Sequence, residues 1–354
     1  MTSGRAPSGR AGPSSARASL MSASLMSARA RLMSGRARRL SVLAAGGALA
    51  AACAGPVAAR PGGPDPVTSL PATTSASPPK SPSASASGPA AAPVVAAAGD
   101  ISTRCTGKGC GARATSDLAL ALDPDAVLAL GDLQYPSGAL RDFRAYYDVT
   151  WGRFKDRTRP APGNHEYRTP GAKGYFRYWG RAARPRGRSW YGFDLGAWRL
   201  ISLDSTAPHG PGSAQAAWLE SELAAHPRRC VLAYWHHPRF SSGRAHGGDP
   251  SVGTFWKALY AARADVVLAG HEHNYERFAA LRPDGEPSGD GLRQFVAGTG
   301  GASHYPFGPP VTGSEFRDAA HFGVLRLVLR PGGYDWRFVG SGGRVLDSGG
   351  GRCV

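Results

Sequence analysis

Long apolar runs are almost missing from this chain. Outside the N-terminal region there is no stretch of 18 clean apolar residues, which excludes a multi-span membrane protein. Charged residues are scarce at 19% of 354, and acids are fewer than bases, 25 against 42. The composition excludes a coiled coil and a collagen, and five cysteines in so long a chain exclude a small disulfide toxin. What is plentiful is Gly (48) and Pro (29), above the usual share, so part of the chain is expected to stay outside a packed core. The rest suffices for one large domain or two smaller ones.

The net charge of +17 is unevenly placed. Residues 1–94 hold nine Arg, Lys80 and a single acid, Asp65, so about half of the excess lies there. The remainder is a moderate basic excess, compatible with anionic substrates; it gives no reason to expect a nucleic-acid partner. Residues 33–56 place Arg36, Arg38 and Arg39 before an apolar stretch, Leu40 to Ala52, that ends at Cys53. That is the layout of an export signal. Leu49 to Cys53 resembles a lipoprotein processing site, with Leu49 one residue further from the cysteine than usual, so Cys53 is expected to be lipidated and to anchor the chain to a membrane. The Arg38-Arg39 pair also allows twin-arginine export, and a plain secretory cut is the alternative. Residues 1–32 show no helix or strand period, and Met33 is the expected start; peptides found upstream of it would refute that. Residues 54–93 are nearly all Pro, Ala, Ser, Thr and Gly and read as a disordered tether. The expected organisation is therefore signal 1–53, linker 54–93 and folded domain 94–354. In an oxidising compartment the four later cysteines are expected to pair as Cys105–Cys110 and Cys230–Cys353; a four-cysteine zinc site is the weaker alternative.

From Pro93 the texture changes. Four short apolar runs stand at 94–98, 126–130, 230–235 and 265–269, as strands buried on both faces do. Helical spacing marks 112–122, 214–225 and 254–263. After Gln294 the pattern turns to strands at 294–297, 322–329, 334–339 and 344–347, with Pro331-Gly332-Gly333 as a hairpin turn. The reading is an α/β domain with two packed sheets flanked by helices. Each of the four buried runs ends in an acid or an imidazole, at the edge where open α/β sheets bind ligands. One such residue is usually a turn former; four in one chain are a site.

Gathered together, those ends supply Asp100; Asp132 with Tyr135; Asn164, His165 and Glu166; His236 and His237; and His271 with His273. Mixed oxygen and imidazole donors suit Fe, Mn or Zn, and there are too many for one ion. Two ions sharing a carboxylate would use most of them and could clamp a phosphoryl group.

The same blocks, Gly99-Asp100, Gly131-Asp132-Leu133-Gln134-Tyr135, Gly163-Asn164-His165-Glu166, His236-His237-Pro238 and Gly270-His271-Glu272-His273, resemble in order the five motifs of the calcineurin-like metallophosphoesterase superfamily, over roughly residues 94–340. The spacing from Asp132 to Tyr135 and the run from His271 to Arg277 resemble the purple acid phosphatases. The resemblance implies a four-layer α-β-β-α sandwich and two metal ions, Fe(III) with Zn, Mn or Fe(II). It places Asp100, Asp132, Tyr135 and His273 on one ion and Asp132, Asn164, His236 and His271 on the other. Many superfamily members carry an Asp-x-His first block; here Ser102 stands in the imidazole's place, as in the purple acid phosphatases, where a tyrosinate substitutes. The resemblance further implies in-line attack by a metal-bound hydroxide on a small phosphorylated substrate. His165 would assist the leaving oxygen, and His237 would reach the substrate or else face solvent. A phosphomonoesterase is the first expectation. A phosphodiesterase acting on nucleotides or glycerophosphodiesters is the second, and a non-catalytic surface binding protein the third.

Other features carry less. Gly298-Thr299-Gly300-Gly301 lacks the lysine of a nucleotide-binding loop and reads as a tight turn near the site. His304 and Tyr305 are candidates for the pocket wall or the surface. Arg277 is expected to anchor structure.

Overall fold

The computed structural model describes residues 91–227 and 230–354. The expected export signal, Met33, Cys53 and all but the last three residues of the expected linker lie outside the described residues.

Short buried strands build two sheets. In the first, β1 (Val94–Ala98), β2 (Ala126–Leu130) and β3 (Thr158–Ala161) run parallel, and β11 (Gly323–Arg330), β12 (Gly333–Gly340) and β13 (Val345–Arg352) extend it antiparallel, in the order β13-β12-β11-β1-β2-β3. In the second, β5 (Trp198–Ser202), β6 (Cys230–Tyr234), β7 (Val266–Ala269) and β9 (Leu292–Ala297) are parallel. Antiparallel β4 (Tyr191–Leu195) and β8 (Tyr275–Leu281) flank them, and β10 (Ser314–Asp318) pairs with β8. The order is β10-β8-β9-β7-β6-β5-β4.

Alternate side chains of each central strand go to opposite faces, and the three cores follow from that. Val95, Ala97, Leu128 and Leu130 meet Leu200, Leu232, Tyr234 and Leu268 between the sheets. Ala96, Ala98, Val127 and Ala129 face outward onto α1 (Gly111–Ala121), the turns around α2 (Leu140–Asp142), the single turn α3 (Asn164–Tyr167) and α4 (Lys173–Trp179). Ile201, Val231, Ala233 and Val267 face outward onto α5 (Ala214–Ala225) and α6 (Gly253–Ala261). Helices, sheet, sheet and helices form the expected four-layer α-β-β-α sandwich. Both expected disulfides are present, Cys105–Cys110 and Cys230–Cys353. Among the described residues no helix is long and apolar enough to cross a membrane.

The sequence reading passed over β3, β4, β5, β8 and β10. β5 is buried along its whole length, yet Arg199 interrupts its apolar run. That guanidinium is neutralised by Asp194 at 3.0 Å and by Glu222 from α5. In β3, Arg159 and Pro160 break the pattern at a sheet edge, where a proline is tolerated.

Candidate metal centre

The parallel strands of both sheets end on one side of the sandwich, and the polar blocks leave from those ends. The turns interlock through the backbone: Asp100 N donates to Gly131 O at 3.0 Å, Ile101 N to Asp132 O at 3.0 Å, and Gly270 N to His236 O at 2.9 Å. Three non-glycine residues here have left-handed backbones, Asp100 (φ 58°), Asp132 (φ 51°) and His271 (φ 73°). Such backbones cost free energy and persist where surrounding structure imposes them, often at functional sites. Close approach also fixes two glycines. A Cβ on Gly131 would sit 2.6 Å from His236 Nδ1, and one on Gly163 would collide with the Asp132 carboxylate.

The side chains form two groups. In one, Tyr135 Oη lies 2.8 Å from Asp100 Oδ1 and 2.9 Å from His273 Nε2, with His273 Nε2 at 3.2 Å from Asp100 Oδ1. In the other, His236 Nε2 lies 3.1 Å from both Asn164 Oδ1 and His271 Nδ1. Asp132 stands between them: its Oδ2 is 3.1 Å from Tyr135 Oη and 3.4 Å from His236 Nε2. Metal–donor bonds of about 2.0–2.3 Å give donor–donor edges of roughly 3–3.5 Å, so the spacing fits transition-metal ions. The outward nitrogens are held as metal-ligating imidazoles usually are: His236 Nδ1 meets Leu130 O at 2.9 Å, and His273 Nδ1 meets Ser303 Oγ at 2.6 Å. The donor set fits a pair of ions.

Electrostatics say the same of the protein alone. Burial pushes the Asp132 carboxyl up, but the imidazoles of His236 and His165 more than reverse this and hold it well below the carboxylate range. Burial lowers His236, yet the charge on Asp132 overrides it and raises the imidazole to about 9. Burial, then the neighbouring imidazoles, push His271 far down. Burial and the charges on Asp100 and Asp132 push the Tyr135 phenol well up, so it keeps its proton unless a strong Lewis acid displaces it. The cluster thus holds Asp132 ionised and His271 neutral, the forms in which each would bind a metal ion.

His165 stands beside this cluster. Its Nδ1 contacts Pro136 O at 2.7 Å, its Nε2 lies 3.8 Å from Asp132 Oδ2, and burial lowers its pKa. His237 is placed differently: its Nδ1 meets Ser205 Oγ at 2.8 Å, its ring lies 4.4 Å from that of His271, and it does not line the cavity. That cavity, about 340 Å³, is lined by Asp132, Tyr135, Asn164, His165, His271 and His273, and also by Arg168, His246 and Tyr305. Tyr305 stacks on His273 with ring centroids 3.9 Å apart, whereas His304 stacks on Phe322. Arg277 is structural, as expected, held by Asp347 at 2.8 Å and by Glu315.

Two kinds of residue escaped the sequence reading. His246 packs against His271, ring centroids 4.1 Å apart, from a loop that no motif marks. Glu166 and Glu272 lie within motifs whose pattern does not reveal their role. Glu166 is fully buried and accepts N–H bonds from Asp132, Leu133, Gln134 and Gly163 at 2.8–3.2 Å, joining the second motif to the third. Glu272 accepts from the backbone of His246 and Gly247 and so positions the His246 loop.

With this geometry in place, the comparisons with known proteins are specific. The calcineurin-like phosphoesterase family matches residues 94–275. The chain belongs to that family. Within it, the chain is similar to the probable purple acid phosphatase 20 of Arabidopsis thaliana, 30% identical over 188 residues that cover 46% of this chain and 42% of that protein. The chain thus spans less than half the length of that relative. Among solved structures, the purple acid phosphatase of yellow lupin (Lupinus luteus) superposes with a TM-score of 0.59 at 20% identity, covering 73% of this chain and 53% of that one. GAP50, the anchor in the inner membrane complex of Plasmodium, superposes with a TM-score of 0.59 at 16% identity, covering 75% and 90%. At those identities the two structures speak for the fold alone.

Proposed function

We propose that this chain is a dinuclear-metal hydrolase of phosphoric monoesters, of purple acid phosphatase type. The observation that carries the reading is Asp132 Oδ2, one carboxylate oxygen at the meeting of two donor sets. Two ions that share a bridging ligand need such an oxygen. In this reading Asp100, Tyr135 and His273 hold one ion and Asn164, His236 and His271 the other, with Asp132 between. Carboxylate and phenolate favour Fe(III) in the first position; an amide and two imidazoles favour Zn, Mn or Fe(II) in the second. Bound there, the pair supplies the Lewis acidity that acidifies a water molecule and neutralises phosphoryl charge.

The protein's own groups do the rest. Pro136 O holds the Nδ1–H of His165, which leaves Nε2 to carry and release the proton that the leaving oxygen takes. A phosphate dianion beside His165 favours its protonated form and so offsets the lowering by burial. Asn164 offers an oxygen without adding negative charge. His246, exposed at the cavity wall, presents a second imidazole to the substrate. His237 packs its ring against that of His271.

Export and anchoring through a lipidated Cys53 rest on the pattern of residues 33–53, and the two disulfides agree with export. The test of the function compares kcat/KM for an aryl phosphate monoester and the matching diester on the metal-loaded full chain. A monoester preference of tenfold or more is expected. A diester preference would move the reading to a phosphodiesterase. Activity on neither would leave a binding protein, a role for which GAP50, named as an anchor, supplies a precedent on this fold.

A further inference from the structure

From Tyr167 to Phe193 the chain carries seven cations, Arg168, Lys173, Arg177, Arg181, Arg184, Arg186 and Arg188, and no acid at all. All are exposed except Arg188, which is half-buried against Trp218. None of the seven has an ion-pair partner among the described residues, whereas nearby Arg199 and Arg153 are both paired with carboxylates. Like charges concentrated in one segment repel one another and attract anions.

The fold ties this segment to the metal centre. Tyr167, at its start, shares the single turn α3 with His165 and donates to the buried Asp204 at 2.6 Å. The start of the basic stretch is therefore fixed beside His165. Arg168 is the member that reaches the cavity wall, beside Asn164 and His165. Arg184 lies over the Phe176 ring at 4.1 Å, close enough for its charge to be felt at the Tyr167 hydroxyl. A cavity of about 340 Å³ admits a sugar-sized molecule and excludes a polymer chain from full entry.

We propose that the site selects small phosphate esters bearing at least one further phosphate on the same molecule, with Arg168 gripping the second phosphate while the scissile one lies over the metal centre. The rest of the basic segment raises the local concentration of such polyanions. This rests on the phosphoesterase reading above and names its substrate class. Guanidinium suits the task because its planar fork meets two phosphate oxygens at once.

The test uses the metal-loaded full chain with three probes: an aryl phosphate, a hexose 6-phosphate and the corresponding hexose 1,6-bisphosphate. Turnover of the aryl phosphate decides the underlying reading; its absence sinks both. Given that turnover, kcat/KM for the bisphosphate should exceed that for the monophosphate at least tenfold at low salt, and the advantage should shrink in 0.5 M salt. Arg168→Gln should bring the ratio to within about threefold of one, mainly through KM for the bisphosphate, and Arg168→Lys should retain part of it. Equal kcat/KM for the two sugars overturns the proposal. So does an Arg168→Gln variant that loses the same factor on both, because Arg168 would then hold the scissile phosphate. A preference for long-chain polyphosphate over the bisphosphate would overturn it in favour of a polymer.

Discussion

Aspartates stand at both edges of the parallel strands, and the two edges behave differently. At the starts of the strands, Asp125 accepts the N–H of Val94 at 2.7 Å, and Asp265 accepts those of Val231 and Val354 at 2.8 Å each. Beside Asp265 the Cys230–Cys353 disulfide joins the start of β6 to the C-terminal segment. At the carboxyl ends, Asp100 and Asp132 sit on left-handed backbones and crowd against a phenol, an amide and three imidazoles. One end is built from satisfied backbone bonds and stabilises the fold. The other gathers carboxylates, a phenol, an amide and imidazoles that hydrogen-bond one another at the spacing of metal donors. An aspartate at a strand end says little; what surrounds it decides.

The sharpest way to break the comparison is Asp132→Asn. Losing the shared charge should cut kcat by about 10³-fold or more, in steady-state assays of an aryl phosphate. The apo protein should also lose stability at neutral pH, because the lowered Asp132 carboxyl and the raised His236 imidazole stabilise one another. At the other end stability alone should move. Replacing Cys230 and Cys353 together by Ser should cost about 3–5 kcal/mol in denaturant unfolding. Turnover by the molecules still folded should stay within about twofold.

Asp265 sharpens the contrast through pH. Burial raises its carboxyl to about 6, while its two N–H donors pull the other way. The folded state therefore binds this proton more tightly than the unfolded chain does. Its contribution to stability is complete below about pH 4 and is lost as pH rises through about 6. Asp265→Asn should flatten that part of the stability curve, by roughly 1–2 kcal/mol over the window. Asp125→Asn is the smallest change, about 0.5–1 kcal/mol, since the bond it weakens is exposed.

Much of this was legible in the sequence. Glycine-flanked acids and imidazoles after apolar runs marked the carboxyl edge, and the two sheets followed from the alternation of strand and helix. The even cysteine count suggested two disulfides, and the structure pairs them as expected. What stayed hidden has physical causes. β5 carries a buried Arg199 whose partners, Asp194 and Glu222, lie elsewhere in the chain, so its local pattern reads as exposed. His246 reaches the cavity from a loop that Glu272, 26 residues away, helps to hold. Glu166 looks like one more candidate ligand in the sequence, yet four backbone donors engage it as a strut. Arg168 follows the third motif without a pattern of its own.

The central claim is that Asp132 serves two ions at once. The direct measurement is metal content by elemental analysis on the purified full chain, beside aryl phosphate turnover, for the wild type and Asp132→Asn. The account predicts two ions per active wild-type chain and loss of both, with turnover, in the variant. Full activity with one ion or none, or a variant that keeps both ions and normal turnover, would contradict it.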